Sequence, residues 1–288
     1  MFEAFPHPYL VLPDQTFRSD QAPTQPPQSA PDKKLCEKRL EAYIKQLDDL
    51  QRRLYAHNAF ALLLIFQAMD AAGKDGTIRA VMKGINPAGC QVFSFKQPSH
   101  LELDHDFLWR TSCRLPERGR IGIFNRSYYE EVLVVRVHPE YLKNQKLPKP
   151  LGPYIWEERY ESIRNHELHL ANNGTIIVKF WLHVSKEEQR KRLLSRLNEP
   201  DKHWKFSQQD LEERKLWKHY MTAYEEAINA TSRPWAPWYT IPADNKPFMR
   251  MCVAEIITEN LNKLDLRYPR VSKAQRQAFE KFRQQLQP

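Results

Sequence analysis

The chain has 288 residues, 41% of them hydrophobic, with 44 Lys plus Arg against 35 Asp plus Glu, a formal charge of +9. That length can bury a sizeable core as one large α/β domain or two small ones. No run of about 18 apolar residues is present, which excludes a helical membrane span. The basic balance suggests a polyanionic partner (nucleic acid, nucleotide, polyphosphate or an anionic surface) or only a soluble basic surface, which charge alone does not separate. The first residues lack a basic segment followed by an apolar one, so no secretory leader is expected. The cysteines Cys36, Cys90, Cys113 and Cys252 are far apart without a C-x-x-C pair, and a reduced, cytoplasmic setting is expected.

In chain order, residues 1–32 carry seven prolines and few periodic apolar positions. They read as an extended arm, draped over the body or disordered. Leu35, Leu40, Ile44, Leu47, Leu50 and Leu54 recur at helical spacing, predicting a helix over 34–55. The apolar run 62–66 predicts a buried parallel strand. Further strands are predicted at 90–95, 121–124, 175–184 and 238–241. Helical patterns fill 102–113, 127–137, 155–171, 186–197, 208–230 and 248–264, with another from Asp75 onward. Alternating strands and helices imply a parallel sheet covered on both faces. With no repeat and no clear linker, residues 33–288 read as one domain.

The chemistry starts at residues 62–77, LLLIFQAMDAAGKDGT. A strand, a small-residue loop and a helix start make a phosphate cradle, since backbone N–H groups and the helix N-terminus converge on one anion. Lys74 adds a point charge. The loop departs from G-x-x-x-x-G-K-S/T: Ala68 replaces the first Gly and Asp75 the metal-binding Ser/Thr. Asp70 and Asp75 beside the loop repel a phosphate unless a divalent cation lies between, and oxygen ligands of this kind suit Mg²⁺. Asp75 alternatively only starts the helix, where its charge suits the dipole. After the third predicted strand come Asn125 and Arg126, at the carboxyl end where open α/β sheets bind ligands. Arg126 is placed for bidentate phosphate contact. Ser127-x-x-Glu130 reads as a capping box that starts a helix, which alone accounts for Glu130. Between Lys186 and Lys205, Arg192 and Arg196 share one helix face before the helix-breaking Asn198-Glu199-Pro200. This is the pattern of a lid over phosphates or of a solvated helix of mixed charge. Arg110, Arg114, Arg118 and Arg120 form a second basic series, partly explained by surface pairing. Trp204, Trp217, Trp235 and Trp238 read as packing residues, and the ten histidines show no metal spacing.

Together these residues resemble the type-2 polyphosphate kinases, P-loop phosphotransferases related in fold to thymidylate kinase. The resemblance runs from about Leu35 to Leu266. It rests on FQAMDAAGKDGTI (66–78), FSFKQPS (93–99), GIFNRSYYEEV (122–132), the basic segment before Asn198-Glu199-Pro200, and PWYTIPADNK (237–246). It implies a three-layer α/β P-loop kinase fold, with a parallel sheet of about five strands and a lid at about 186–206. It also implies reversible in-line transfer of the terminal phosphate between inorganic polyphosphate and AMP or ADP, with guanine nucleotides as further candidates. The metal implied is Mg²⁺, with Mn²⁺ as its substitute. Asp70, Lys74 and Arg126 are then the catalytic set, with Asp70 as metal ligand and Asp75 as the second candidate. Ala71, Ala72, Gly73, Lys74, Asp75, Gly76, Thr77, Arg192, Arg196 and Lys205 take the phosphates. Lys96, Asn125, Arg126 and Glu130 take the nucleotide. Many relatives have Asp-Arg-Ser where this chain has Asn125-Arg126-Ser127, so a metal role at 125 is put in doubt. Glu130 is similar to the subgroup that accepts both AMP and ADP. A homodimer or homotetramer in the cytoplasm is expected, with neither nucleic acid nor membrane as partner. An ATP-dependent nucleoside monophosphate kinase calls for the intact loop. A non-catalytic polyanion binder needs no paired carboxylates beside its lysine and shows interleaved aromatic and basic residues absent here.

Overall fold

The run at 62–66 lies at the middle of a six-stranded sheet. In the computed structural model, which describes residues 3–148 and 152–287, the strands are β1 (Leu10–Val11), β2 (Ala61–Gln67), β3 (Cys90–Ser94), β4 (Ile121–Asn125), β5 (Thr175–His183) and β6 (Trp238–Pro242). Their spatial order is β1-β6-β5-β2-β4-β3. Every residue of β2 is buried, because it pairs in parallel with both β4 and β5. β3 and β6 extend the parallel sheet on either side.

The first helices are α1 (Lys33–His57), α2 (Lys74–Val81), α3 (His100–Leu103), α4 (Trp109–Ser112), α5 (Val134–Val137) and α6 (Ile155–Asn172). The rest are α7 (Lys186–Asn198), α8 (Gln208–Lys215), α9 (Trp217–Thr231), α10 (Lys246–Asn262) and α11 (Lys273–Leu286). α10 packs against α1, α2 and the β5–β6 side, whereas α5, α6 and α9 form the second helical group, with α6 on β5. Burial on both faces explains why β2 and β5 read as continuous apolar runs.

Four expectations are corrected. The sheet has a sixth strand, because the proline-rich arm is ordered along the body and β1 pairs antiparallel with β6; two residues are too few to show an alternating pattern. The helix expected over 102–113 is two short helices, since Asp106 Oδ1 accepts from the Leu108 amide at 2.9 Å and restarts the chain. The helix expected over 127–137 is a 3₁₀ segment, Tyr128–Val132, followed by α5. The helix expected over 208–230 breaks at Leu216, which separates α8, following the lid, from α9 in the body. The tail also forms α11, a helix not expected from the sequence.

One charged residue interrupts the apolar run of β5. Lys179 is fully buried and its ammonium donates to Glu167 Oε2 at 2.6 Å, the Tyr129 hydroxyl at 2.8 Å and the Thr231 carbonyl at 2.9 Å. Glu167 also accepts from the Tyr128 and Tyr129 hydroxyls at 3.0 and 2.9 Å. All three lysine protons are matched, as a buried charge requires. The network ties β5, α6 and α9 to the segment just after Arg126.

Candidate active site

At the carboxyl end of β2 the chain turns through Ala68–Gly73 and enters α2. Gly73 caps α2 with φ +108°, a conformation costly for any residue with a side chain. Ala71 and Arg126 also lie in the left-handed region, at φ +61° and +65°. Non-glycine residues held there cost about 1–3 kcal/mol each and concentrate where function demands them. The Arg126 amide is fixed by the Phe66 carbonyl at 3.0 Å, so β2 holds the β4 turn in its strained form.

Arg126 Nη2 donates to Asp70 Oδ1 at 2.7 Å, and Nη1 to Glu130 Oε2 at 3.3 Å. Asn125 Nδ2 donates to Asp75 Oδ1 at 2.5 Å, joining β4 to the first turn of α2. Lys74 Nζ donates to the Ala68 carbonyl at 2.6 Å. The capping box read at Ser127 does not form: Ser127 Oγ accepts from the Tyr129 amide at 3.2 Å and leaves Glu130 free to face Arg126. With its amide turned to satisfy its neighbours, Gln67 donates to Glu130 Oε1 at 2.9 Å. The glutamate therefore belongs to the site rather than to a helix cap.

Burial raises the Glu130 carboxyl above its usual range, against the opposing pull of Arg126 and Lys74. Glu130, and beside it Asp70, hold Arg126 firmly charged. Burial and the neighbouring Arg126 push Lys74 down to about 8, opposed by Asp70, Glu130 and Asp75. The ammonium is thus the charged form below pH 8 and is lost above it. In the free enzyme kcat/KM for a phosphate-rich substrate is expected to fall about tenfold per pH unit above pH 8. A profile flat from pH 7.5 to 9.5 would show that Lys74 keeps its proton throughout.

The loop opens into a cavity of about 720 Å³. Ten cationic side chains line it against two carboxylates, Asp70 and Asp75. Lys74, Lys96, Arg126, Arg192, Arg196 and Lys205 were expected there, as were Ala71, Ala72, Gly73, Gly76 and Asn125. Arg79, Lys246 and Arg250 were not: Arg79 comes from α2 itself, and α10 brings in the other two from far along the chain. Lys202 of the basic segment joins them. Thr77 is placed elsewhere, buried with its hydroxyl donating to the Gly73 carbonyl at 3.0 Å and outside the cavity lining. Trp204 is corrected from a packing residue to one 78% exposed on the lid, lining the cavity. Trp238 is buried as expected. Arg110 and Arg120 of the second basic series bond to the backbone carbonyls of Lys96 and Ala88 and do not line the cavity.

The lid is anchored to the loop. Gln189 Nε2 donates to the Asp70 carbonyl at 3.0 Å. Arg192 commits its donors to the carbonyls of Ala71, Ala72, Ala243 and Asp244 and to Glu188. Its guanidinium therefore shapes the loop and adds charge to the cavity, with no N–H left over. Arg196 pairs with Asp210 at 2.8 Å and with the Lys205 carbonyl. The arm braces the opposite wall: Gln25 and the Thr24 carbonyl hold Asp244, which accepts from the Ser185 amide at the start of α7.

Asp70 and Asp75 each engage one oxygen in the bonds above and keep the other unbonded beside the cavity. No cluster of three acidic, His or Cys ligands occurs among the described residues. This donor set fits Mg²⁺, which takes one or two carboxylates and completes its shell with water and substrate phosphates. No helix among the described residues is long and apolar enough to cross a membrane.

A parallel sheet, a phosphate loop opening α2 and a cationic cavity under a helical lid define a phosphotransferase of the P-loop kinase fold. The sequence matches the family described as Polyphosphate kinase 2 (PPK2) over residues 30–269, and the chain belongs to that family. It is 58% identical over 249 residues to an ADP-polyphosphate phosphotransferase of Rhodopseudomonas palustris, covering 86% of each chain. It is 48% identical over 226 residues to an AMP/ADP-polyphosphate phosphotransferase of Meiothermus ruber, covering 78% of this chain and 80% of the relative. The crystal structure of polyphosphate kinase 2 from Arthrobacter aurescens superposes with a TM-score of 0.81 at 37% identity, covering 94% of this chain and 91% of that one.

Proposed function

We propose that this protein transfers the terminal phosphate of inorganic polyphosphate to AMP and ADP, reversibly and with Mg²⁺. The observation that carries the reading is the charge of the main cavity. Ten cations around one phosphate loop exceed what the few charges of a nucleoside triphosphate need, and they suit a longer polyanion. The names of the two relatives, ADP- and AMP/ADP-polyphosphate phosphotransferase, support the acceptor.

Lys74 and Arg126 spread the charge of the transferring group, while the loop amides fix its position. Asp70, bonded to Arg126, orients that guanidinium and would hold the metal, with Asp75 as the second carboxylate. A Mg²⁺ held by these carboxylates would neutralise phosphate charge. The acceptor is a phosphate already ionised near pH 7, so no strong general base is required. Lys96 and Asn125 complete the acceptor side, and the lid cations face the polyanion, whose binding is salt-sensitive. The direct test mixes the protein with AMP or ADP, Mg²⁺ and polyphosphate without ATP. ADP or ATP should appear, and its absence refutes the reading.

Glu130 is turned toward Arg126, and its similarity to the subgroup that accepts both AMP and ADP supports a part for it in acceptor choice. Glu130→Asn is expected to lower kcat/KM for AMP relative to ADP by roughly tenfold. An unchanged ratio in paired initial-rate assays removes Glu130 from acceptor choice. The same reading takes residues 33–288 as one phosphotransferase domain with an N-terminal arm, working in the cytoplasm as a homodimer or homotetramer. Sedimentation measures the last point.

A further inference from the structure

Lys96 is exposed at the main cavity, and its ammonium has no hydrogen-bond or ion-pair partner among the described residues. It is held there through its backbone. On one side of it, the Phe95 amide donates to the Asn125 carbonyl at 3.1 Å, and the Phe95 ring is buried edge-on against Phe124, with centroids 4.9 Å apart. On the other side, Ser99 and Glu102 close a capping box that starts α3. Between these anchors the Lys96 carbonyl accepts from Arg110 Nη1 at 2.8 Å. Arg110 itself, on α4, is only 7% exposed. Its guanidinium lies 5.4 Å from the centre of the Phe95 ring and 3.8 Å from Glu102 Oε2, the oxygen that accepts from the Ser99 amide at 2.7 Å. One side chain thus touches both anchors and the residue between them. A cavity of about 80 Å³, lined by Pro98, Leu103, Phe107 and Arg110, borders the segment, so packing alone does not support it. A buried guanidinium is costly unless its partners repay it, and every partner of this one among the described residues belongs to 95–102.

From this we infer that Arg110 is a positioning residue for the phosphoryl transfer: it fixes where Lys96 stands at the cavity and touches no substrate itself. The inference rests on the proposed polyphosphate-to-nucleotide transfer, with Lys96 on the acceptor side. A planar guanidinium can hold a carbonyl, a carboxylate and a ring face at once, which a compact ammonium does not. The segment is therefore ordered before substrate arrives. Without Arg110 the acceptor would have to order it on binding, and that cost is taken from affinity. The effect falls on acceptor binding, and it passes through Lys96.

The test is a double-mutant cycle on KM for AMP at saturating polyphosphate. Lys96→Ala and Arg110→Met are each expected to raise that KM about tenfold, with kcat changed less than about threefold. Because both variants remove the same contact with the acceptor, the double variant should also stay near tenfold, where independent sites would give about a hundredfold. Arg110→Lys keeps the charge without the planar fork and should raise KM about threefold. If circular dichroism shows Arg110→Met unfolded, Arg110→Lys takes its place in the cycle under the same criterion. Losses that multiply in the double variant, a KM within twofold of wild type in either single variant of the cycle, or a loss confined to kcat overturns the assignment. A wild-type protein that makes no ADP from AMP and polyphosphate is a different result, and it defeats the function itself.

Discussion

Lys74→Ala is expected to lower kcat for phosphoryl transfer by about 10³-fold, the scale set by removing one preorganised charge from a transition state. The lysine is the ammonium built into the loop itself, held at 2.6 Å on the Ala68 carbonyl and flanked by Asp70, Asp75 and Arg126. Without it the loop amides still cradle a phosphate, but two carboxylates face the anion with less to offset them. The fold should survive, because Lys74 opens α2 at a partly exposed position and alanine favours a helix. Lys74→Arg restores the charge without the compact geometry and should recover only part of the rate. Steady-state rates with saturating AMP and polyphosphate, beside a circular dichroism spectrum, decide the matter. A kcat within threefold of wild type, roughly 0.7 kcal/mol, removes Lys74 from the reaction.

Lys179→Met should give the largest loss of stability. Removing the ammonium leaves Glu167 fully buried with only two tyrosine hydroxyls. Breaking a buried ion pair in this way costs about 3–5 kcal/mol. At roughly 2–4 °C per kcal/mol, Tm should fall by on the order of 10 °C. Glu167→Gln added to Lys179→Met removes the orphaned charge and should return part of the loss, which a double-mutant cycle measures as coupling. Because Tyr128 and Tyr129 adjoin Arg126 and Glu130, the single variant should also lose activity below its melting temperature. A shift of under 1 kcal/mol in urea denaturation means the pair is not the tie between β5, α6 and the site that its geometry indicates.

Much of the site could be read locally. The run 62–66, the small-residue loop and Gly73-Lys74 occupy one strand, one turn and one helix start, so their spacing alone set their relation. Asn125 and Arg126 could be placed at a strand end for the same reason. The Ser127-x-x-Glu130 pattern shows the limit of such reading. It satisfies the sequence rule for a cap, yet Arg126 and Gln67 compete for the glutamate and win, because they are already held by β2 and the left-handed turn. Trp204 was misplaced by a similar gap: a tryptophan is usually packed, and only the position of the lid turn exposes this one beside the cavity.

The sequence by itself determined the chain order of the five parallel strands and the phosphate loop between the first of them and its helix, because periodicity and loop spacing are properties of neighbouring residues. Tertiary structure alone decided that Lys246 and Arg250 join Lys74 around one anion path, that the arm supplies a sixth strand and braces Asp244, and that an acidic compartment adjoins the cationic one at Arg126. These features depend on segments more than a hundred residues apart meeting at the carboxyl edge of one sheet, and no local pattern records which distant side chains will meet there.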